Sequence, residues 1–188
     1  IAYYSVHLTT ATHPLAASNE ITTVPVTVGG FGGDFTLQQP DGTPVKLSDF
    51  HGKVVLLYFG YTACPDVCPT SLAITAAALK ALSPAEVAQV QPIFISVDPE
   101  RDNGEQLMRY AKHFHPNFIG ISGTAEQLQR VARQYGVFYN KVHSNSALGY
   151  LIDHSSQTYL VSKDGNSVTR LPHGTAPEAV ATQIRQLL

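Results

Sequence analysis

The 188-residue chain is 44% hydrophobic and 14% charged with a formal net charge of -2, which suits one globular domain with a single core and is short for two. No run of Lys and Arg offers nucleic acid an electrostatic footprint, and no stretch reaches the roughly 18 apolar residues that cross a bilayer. Two cysteines are too few for a disulfide scaffold, so the compartment must follow from what that pair does.

The chain begins at Ile1 and its single methionine is Met108, so it is read as trimmed from a longer product with a signal or anchor segment upstream of Ile1. Residues 1–29, rich in Thr, Ala, Ser and Pro without a sustained period, read as a flexible tail. Gly29-Gly30-Phe31-Gly32-Gly33 reads as a hinge into a domain spanning 30–188. Phe35 to Gln38 and Val45 to Leu47 flank the turn residues Pro40-Asp41-Gly42, which predicts an N-terminal hairpin. Residues 53–59, KVVLLYF, form a continuous apolar run that suits a central strand buried on both faces.

A helix is expected next, ending at Ser83-Pro84, with Leu72, Ala76, Leu79 and Leu82 on one face. Residues 91–97 read as a strand. Asn103-Gly104-Glu105-Gln106 resembles a cap opening a second helix through Leu107, Tyr110, Ala111 and Phe114. A short strand at 118–121 precedes a third helix over 124–135 that Gly136 stops. Residues 138–150 have no helical period. Two strands around Lys163-Asp164-Gly165-Asn166 make a second hairpin, and a helix from Thr175 closes the chain. The order is that of an α/β domain.

The two cysteines sit in Thr62-Ala63-Cys64-Pro65-Asp66-Val67-Cys68-Pro69, where the buried strand hands over to the first helix. A dithiol there can close a disulfide, attack one, or hold a soft metal ion. Pro69 is best placed as the first helical residue, with Cys68 at the cap and Cys64 on the loop before it. A disulfide between them would close a ring of about five residues and stabilise the chain by only roughly 2 kcal/mol, which favours redox or metal chemistry over a structural bridge. Two ordinary buried cysteines are the plain alternative.

Among eight histidines, His7, His13, His51, His113, His115, His143 and His173 read as solvated or structural. His154 differs, lying in Asp153-His154-Ser155 on what reads as a loop leading into the sheet. In thioredoxin-like folds that loop faces the dithiol and carries a cis-proline, whereas 153–158 contains no proline.

These pieces resemble the Sco/SenC family of copper-binding proteins that help assemble the dinuclear copper centre of cytochrome c oxidase subunit II. The resemblance covers about 33–188. It rests on Gly52-Lys53, on Tyr58-Phe59-Gly60-Tyr61-Thr62 with the Cys64 to Pro69 segment, on Ser96-Val97-Asp98-Pro99-Glu100-Arg101-Asp102, and on Asp153-His154-Ser155. It implies a thioredoxin-like fold with an N-terminal hairpin and an inserted irregular or hairpin segment near 137–152. It also implies copper, Cu(I) or Cu(II), held by Cys64, Cys68 and His154. The implied setting is a membrane-anchored protein facing an oxidising compartment, the bacterial periplasm or the mitochondrial intermembrane space. The implied partners are subunit II, an upstream copper donor and a thioredoxin-like reductant.

Asp98 before Pro99 reads as turn chemistry with Arg101 and Asp102 pairing locally; the alternative is a carboxylate that tunes the sulfurs or orients the histidine. Asp153 has similar standing, and Asp66 could offer Cu(II) a weak fourth oxygen. The competing activities are a thiol-disulfide oxidoreductase acting on the target's cysteines through Cys64 and Cys68, and a peroxidase. Thr62 lies two residues before Cys64, rather than the three expected of the peroxidase pattern.

Overall fold

The computed structural model describes residues 31–145, 147–166 and 168–188. The expected tail, with His7 and His13, therefore lies outside the described residues. Strand β3 (Val54–Gly60) is buried at all seven positions, as its unbroken apolar run requires. It pairs in parallel with β4 (Val90–Ser96) and antiparallel with β8 (Thr158–Val161). With β5 (Ile119–Ile121) and β9 (Val168–Leu171) added at the edges, the sheet order is β5-β4-β3-β8-β9. Parallel neighbours need crossovers, which α1 (Val67–Lys80) and α3 (Glu105–Phe114) supply.

Alternation along β3 divides the core. Leu56 belongs to a cluster with Leu79 of α1, Leu160, and Val180 and Ile184 of α5 (Pro177–Leu187). Leu57 and Phe59 belong to the larger cluster, which includes Tyr159 and Tyr135 of α4 (Ala125–Tyr135). There Phe59, Tyr135 and Tyr159 pack as an aromatic trio with centroids 5.7–5.9 Å apart. The N-terminal hairpin of β1 (Thr36–Gln38) and β2 (Pro44–Lys46) docks on the end of β5 through reciprocal 2.9 Å bonds between Gln38 and Ser122. The described part of the glycine-rich hinge is fastened: the Gly32 amide donates to the Gln134 carbonyl at 2.6 Å, and the Arg170 guanidinium covers the Phe31 ring.

Three helix ends differ from expectation. Helix α1 starts at Val67 after Asp66, so Pro69 is its third residue, and its first ring closes from the Thr70 amide to the Asp66 carbonyl at 3.2 Å. Proline is tolerated there because the amides of a first turn have no intrahelical acceptor to lose. Asn103 does not cap α3; Gly104 occupies that position, and the Asn103 amide group donates to the Glu100 carbonyl at 3.0 Å. Ser83-Pro84, read as a stop, also opens the short helix α2 (Pro84–Val87) through a capping box with Glu86.

The segment without helical period is a separate two-stranded hairpin, β6 (Tyr139–His143) with β7 (Tyr150–His154). His154 is thus the last residue of a strand rather than a loop residue.

Helix α4 follows its sequence signals closely. Thr124 Oγ1 accepts from the Gln127 amide at 3.2 Å, Gln127 Oε1 accepts from the Thr124 amide at 2.8 Å, and Gly136 takes the left-handed conformation at φ 63°. Removing the capping hydroxyl with Thr124→Ala is expected to cost about 1 kcal/mol, read as a lower urea midpoint at unchanged slope.

Candidate metal centre

Strand β3 ends at Gly60, and a Cβ there would stand 2.6 Å from Cys68 Sγ. Only glycine leaves room for the sulfur at the end of this central strand, which accounts for Gly60 after the bulky run. The chain then turns, the Cys64 amide donating to the Tyr61 carbonyl at 3.2 Å, and enters α1 with Cys68 in its first turn. Both cysteines are free and buried. From the other side β7 delivers His154, whose Nε2 lies 3.3 Å from Cys68 Sγ.

The Cys64 and Cys68 sulfurs and one His154 ring nitrogen all lie within 4.8 Å of one another, the one such group of three or more ligating side chains among the described residues. Nδ1 of His154 is 3.0 Å from the Ser155 carbonyl oxygen. A carbonyl only accepts, so Nδ1 carries the proton and, in the neutral ring, the Nε2 lone pair faces the sulfurs. Tyr58 and Tyr61 present their rings edge-on to the imidazole at 6.2 and 5.9 Å. Burial pushes both phenols above their ordinary range, so they wall the site as neutral groups.

The two thiols are not equivalent. The Cys68 S–H directed at Cys64 lowers the Cys64 thiol to about 3, with burial opposing and the amides of Asp66 and Cys68 assisting. The same hydrogen bond, burial and the neighbouring charge push Cys68 upward. Of the two thiols, Cys64 is the easier to ionise and Cys68 the one that holds its proton.

The acidic candidates fall elsewhere. Asp153 adjoins His154 on a strand, and alternation turns its side chain to the opposite, exposed face. The Asp66 carboxylate is exposed and accepts from Thr70 Oγ1 at 3.4 Å. Asp98 is fully buried; it pairs with Arg101 at 2.5 Å and accepts from the Tyr150 hydroxyl at 2.7 Å. Arg101 thus pairs with Asp98, not with Asp102 as the sequence suggested. Asp102, buried, accepts instead from the Thr62 amide at 2.7 Å, the Thr62 hydroxyl, and Ser96 Oγ at 2.6 Å. That directs the Thr62 hydroxyl to Asp102. Sequence reasoning gave Asp102 only a local pairing with Arg101 and assigned no role to Gly60 or Tyr150 in the site. His173, read as structural, has Nδ1 2.9 Å from Ser71 Oγ.

Two sulfurs and a nitrogen at these separations suit a soft ion. With bond lengths of about 2.3 Å to sulfur and about 2.0 Å to nitrogen, a 3.3 Å Sγ···Nε2 separation corresponds to an angle of roughly 100° at a shared ion. An open pocket of about 380 Å³, lined by Tyr61, Cys64, Pro65, Leu151 and His154 among others, connects the centre to solvent.

A five-stranded mixed sheet with a dithiol at the β3–α1 junction and an added hairpin that brings in an imidazole defines a thioredoxin-like domain rebuilt around a candidate metal centre. The SCO1/SenC family model matches residues 26–188, and the chain belongs to that family. A mitochondrial SCO1 homolog of Arabidopsis thaliana is 44% identical over 73% of this chain and 41% of its own length. An SCO2-like protein of Rickettsia conorii is 35% identical over 97% of this chain and 88% of its own. The chain therefore spans less than half of the first relative and most of the second. Among solved structures, copper-bound ScoI of Bradyrhizobium japonicum is 36% identical with a TM-score of 0.76, covering 85% of this chain and all of that one. Apo Sco1 of Thermus thermophilus is 42% identical with a TM-score of 0.78, covering 92% of this chain and all of that one.

The thiol asymmetry has a direct readout. In the reduced protein, iodoacetamide is expected to label Cys64 ahead of Cys68, at a rate nearly flat from about pH 5 to 8 and falling only as the thiolate is protonated near its value of about 3. Peptide mass spectrometry showing a tenfold loss of Cys64 labelling per pH unit below 8 would refute the low value.

Proposed function

We propose that the protein is a copper metallochaperone that binds copper through Cys64, Cys68 and His154 and passes it to the dinuclear copper site of cytochrome c oxidase subunit II. The observation that carries this reading is the convergence of both sulfurs and a correctly faced imidazole within 4.8 Å. Family membership and the copper-bound relatives of Bradyrhizobium japonicum and Arabidopsis thaliana support it. Thiolates suit Cu(I), and an imidazole widens the set to Cu(II).

In this reading the chain's own groups act in a simple sequence. Cys64 ionises ahead of Cys68, Cys68 gives up its proton on loading, and Nε2 completes the shell while Nδ1–H holds the ring on Ser155. Delivery proceeds by ligand exchange, the target's donors replacing these three one at a time through the open pocket. An upstream donor loads the site and a thioredoxin-like reductant keeps the pair reduced. The setting is an oxidising compartment, the bacterial periplasm, with a membrane tether upstream of Ile1. The relatives include both bacterial and mitochondrial proteins, and no helix among the described residues is long and apolar enough to cross a membrane.

A second reading is favoured by the low Cys64 value. As a thiol-disulfide reductase, the Cys64 thiolate would attack a disulfide of the target and expel one target thiolate. Cys68 would then close the Cys64–Cys68 bond and release the second, leaving the target reduced and this pair oxidised. Exchange on a disulfide-bridged target peptide, run without copper, separates the readings.

Titration of the reduced protein is expected to give one copper per chain, and prior oxidation to the disulfide is expected to abolish binding. His154→Ala is expected to weaken Cu(II) binding by at least about 10- to 100-fold, the range known for losing groups that merely support a ligand. Unchanged Cu(II) affinity and an unchanged thiolate-to-copper absorption band in His154→Ala would remove the imidazole from the shell.

A further inference from the structure

We propose that Arg101 is a positioning residue for the metal centre: it clamps the β6–β7 hairpin to the domain through Tyr150 and thereby sets where the His154 ring stands over the two sulfurs. This deepens the copper reading and rests on it for its spectroscopic consequence, though not for its structural one.

The hairpin needs an anchor. A two-stranded sheet is marginal alone, and this one forms no ladder with the five-stranded sheet. Its base is closed at Phe138 and Ser155, whose backbone groups bond at 2.9 Å. At the far end of β7 the main anchor is Arg101, beside an exposed Lys141–Glu100 ion pair at 2.5 Å. Its Nη1 donates to the Tyr150 carbonyl at 3.0 Å and the Leu148 carbonyl at 3.3 Å, and its guanidinium lies 3.7 Å over the Tyr150 ring. The Tyr150 hydroxyl reaches past it to Asp98 at 2.7 Å, and Arg101 Nε donates to the same carboxylate at 2.5 Å. Nη2, buried, finds no acceptor among the described residues, so that arm is spent on aromatic faces, with Tyr61 also 5.6 Å from the guanidinium carbon.

The clamp reaches His154 through strand geometry. Tyr150, Ile152 and His154 alternate onto one face of β7, with Ile152 buried between them. Four residues span about 13 Å of rigid strand, so the grip on Tyr150 fixes the line along which the imidazole advances. The turn that carries Arg101 also carries Asp102, which holds Thr62 two residues before Cys64. Residues 98–102 are thus a bracket with one arm on the dithiol loop and the other on the imidazole strand.

The test uses the reduced protein with Arg101→Leu. In the copper-free state, hydrogen exchange at amides 139–154 is expected to accelerate at least tenfold while β3 and α1 keep their protection. On loading, the variant is expected to keep one Cu(I) on its two thiolates, to lose the nitrogen coupling in its Cu(II) electron paramagnetic resonance spectrum, and to match His154→Ala in Cu(II) affinity. Combining Arg101→Leu with His154→Ala is expected to add no further loss. Arg101→Lys, which keeps the charge but not the forked reach, is expected to leave the defect in place. Should Arg101→Leu fail to fold, Tyr150→Leu takes its place, with the same shifts expected at smaller size because Nη1 keeps its backbone acceptors. Wild-type exchange in the hairpin, or retained nitrogen coupling with wild-type Cu(II) affinity, overturns the proposal. Failure of the wild-type protein to take up copper overturns the chaperone reading alone, since the copper-free exchange still decides the clamp.

Discussion

Two buried carboxylates four residues apart, Asp98 and Asp102, at 0% and 2% exposure, govern where the rest of the site stands. A carboxylate taken out of water costs several kcal/mol unless every lone pair is met. Here each is met from a different part of the chain: Asp98 by Arg101 and Tyr150, Asp102 by Thr62 and Ser96. Because withdrawing any of these donors strands a buried charge, the partners cannot drift apart cheaply. The Asp102 amide also bonds the Asp98 carbonyl at 2.8 Å, so the two anchor points form one tight turn at the end of β4. The 86-residue separation between Cys68 and His154 is bridged through that turn as well as through their own contact.

The dithiol is set up from the other direction, by packing. β3 is buried along its whole length, Gly60 makes space for Cys68, and α1 begins early enough that Cys68 falls in its first turn. Unpaired amides there favour a thiolate, yet the charge settles on Cys64. The reason is local: Cys68 is the deeper of the two and keeps its proton as a donor, whereas Cys64 sits at the pocket mouth and receives hydrogen bonds from Cys68 and the Asp66 amide. A chain with one thiolate presented and one thiol in reserve suits both stepwise ligand exchange and thiol-disulfide exchange. For that reason the two readings share residues and differ in what they do to the target.

Much of this was legible in residue order wherever the signal is local. The apolar run of β3, the Thr124 cap with Gly136, both turn-flanked hairpins and the dithiol at a strand-to-helix junction all follow from neighbours within a few positions. The Cys64, Cys68 and His154 set came from a family resemblance, not from spacing, since nothing in the composition of Asp153-His154-Ser155 says what lies across from it. Long-range partners were not legible. Arg101 was paired with its neighbour Asp102 on proximity, whereas burial of Asp98 and the ring of Tyr150 decide the matter. His154 was read onto a loop because β6 and β7 are mostly exposed on one face and carry only a weak alternation, Ile152 being their one fully buried side chain. Asp153 was grouped with His154 on adjacency, which a strand turns into opposition.

The outcome is a centre divided between elements of unequal firmness. The sulfurs belong to the β3–α1 loop and the first turn of α1, packed on the main core, while the imidazole belongs to a satellite hairpin whose outer face leaves Phe138 at 63% and Val142 at 40% exposure. Were all three donors in the core, releasing an ion would require disrupting the fold. The third sits on a strand held by a base bond, the buried Ile152, the Arg101 and Tyr150 contacts at Asp98 and the Lys141–Glu100 pair, so the seam parts by giving up those contacts, at less than the global free energy. Opening would withdraw one nitrogen and leave two sulfurs in place, the order of events that the proposed ligand exchange calls for. The exposed apolar side chains lie on that same hairpin, so contact with a partner would act directly on the element whose movement sets the coordination number.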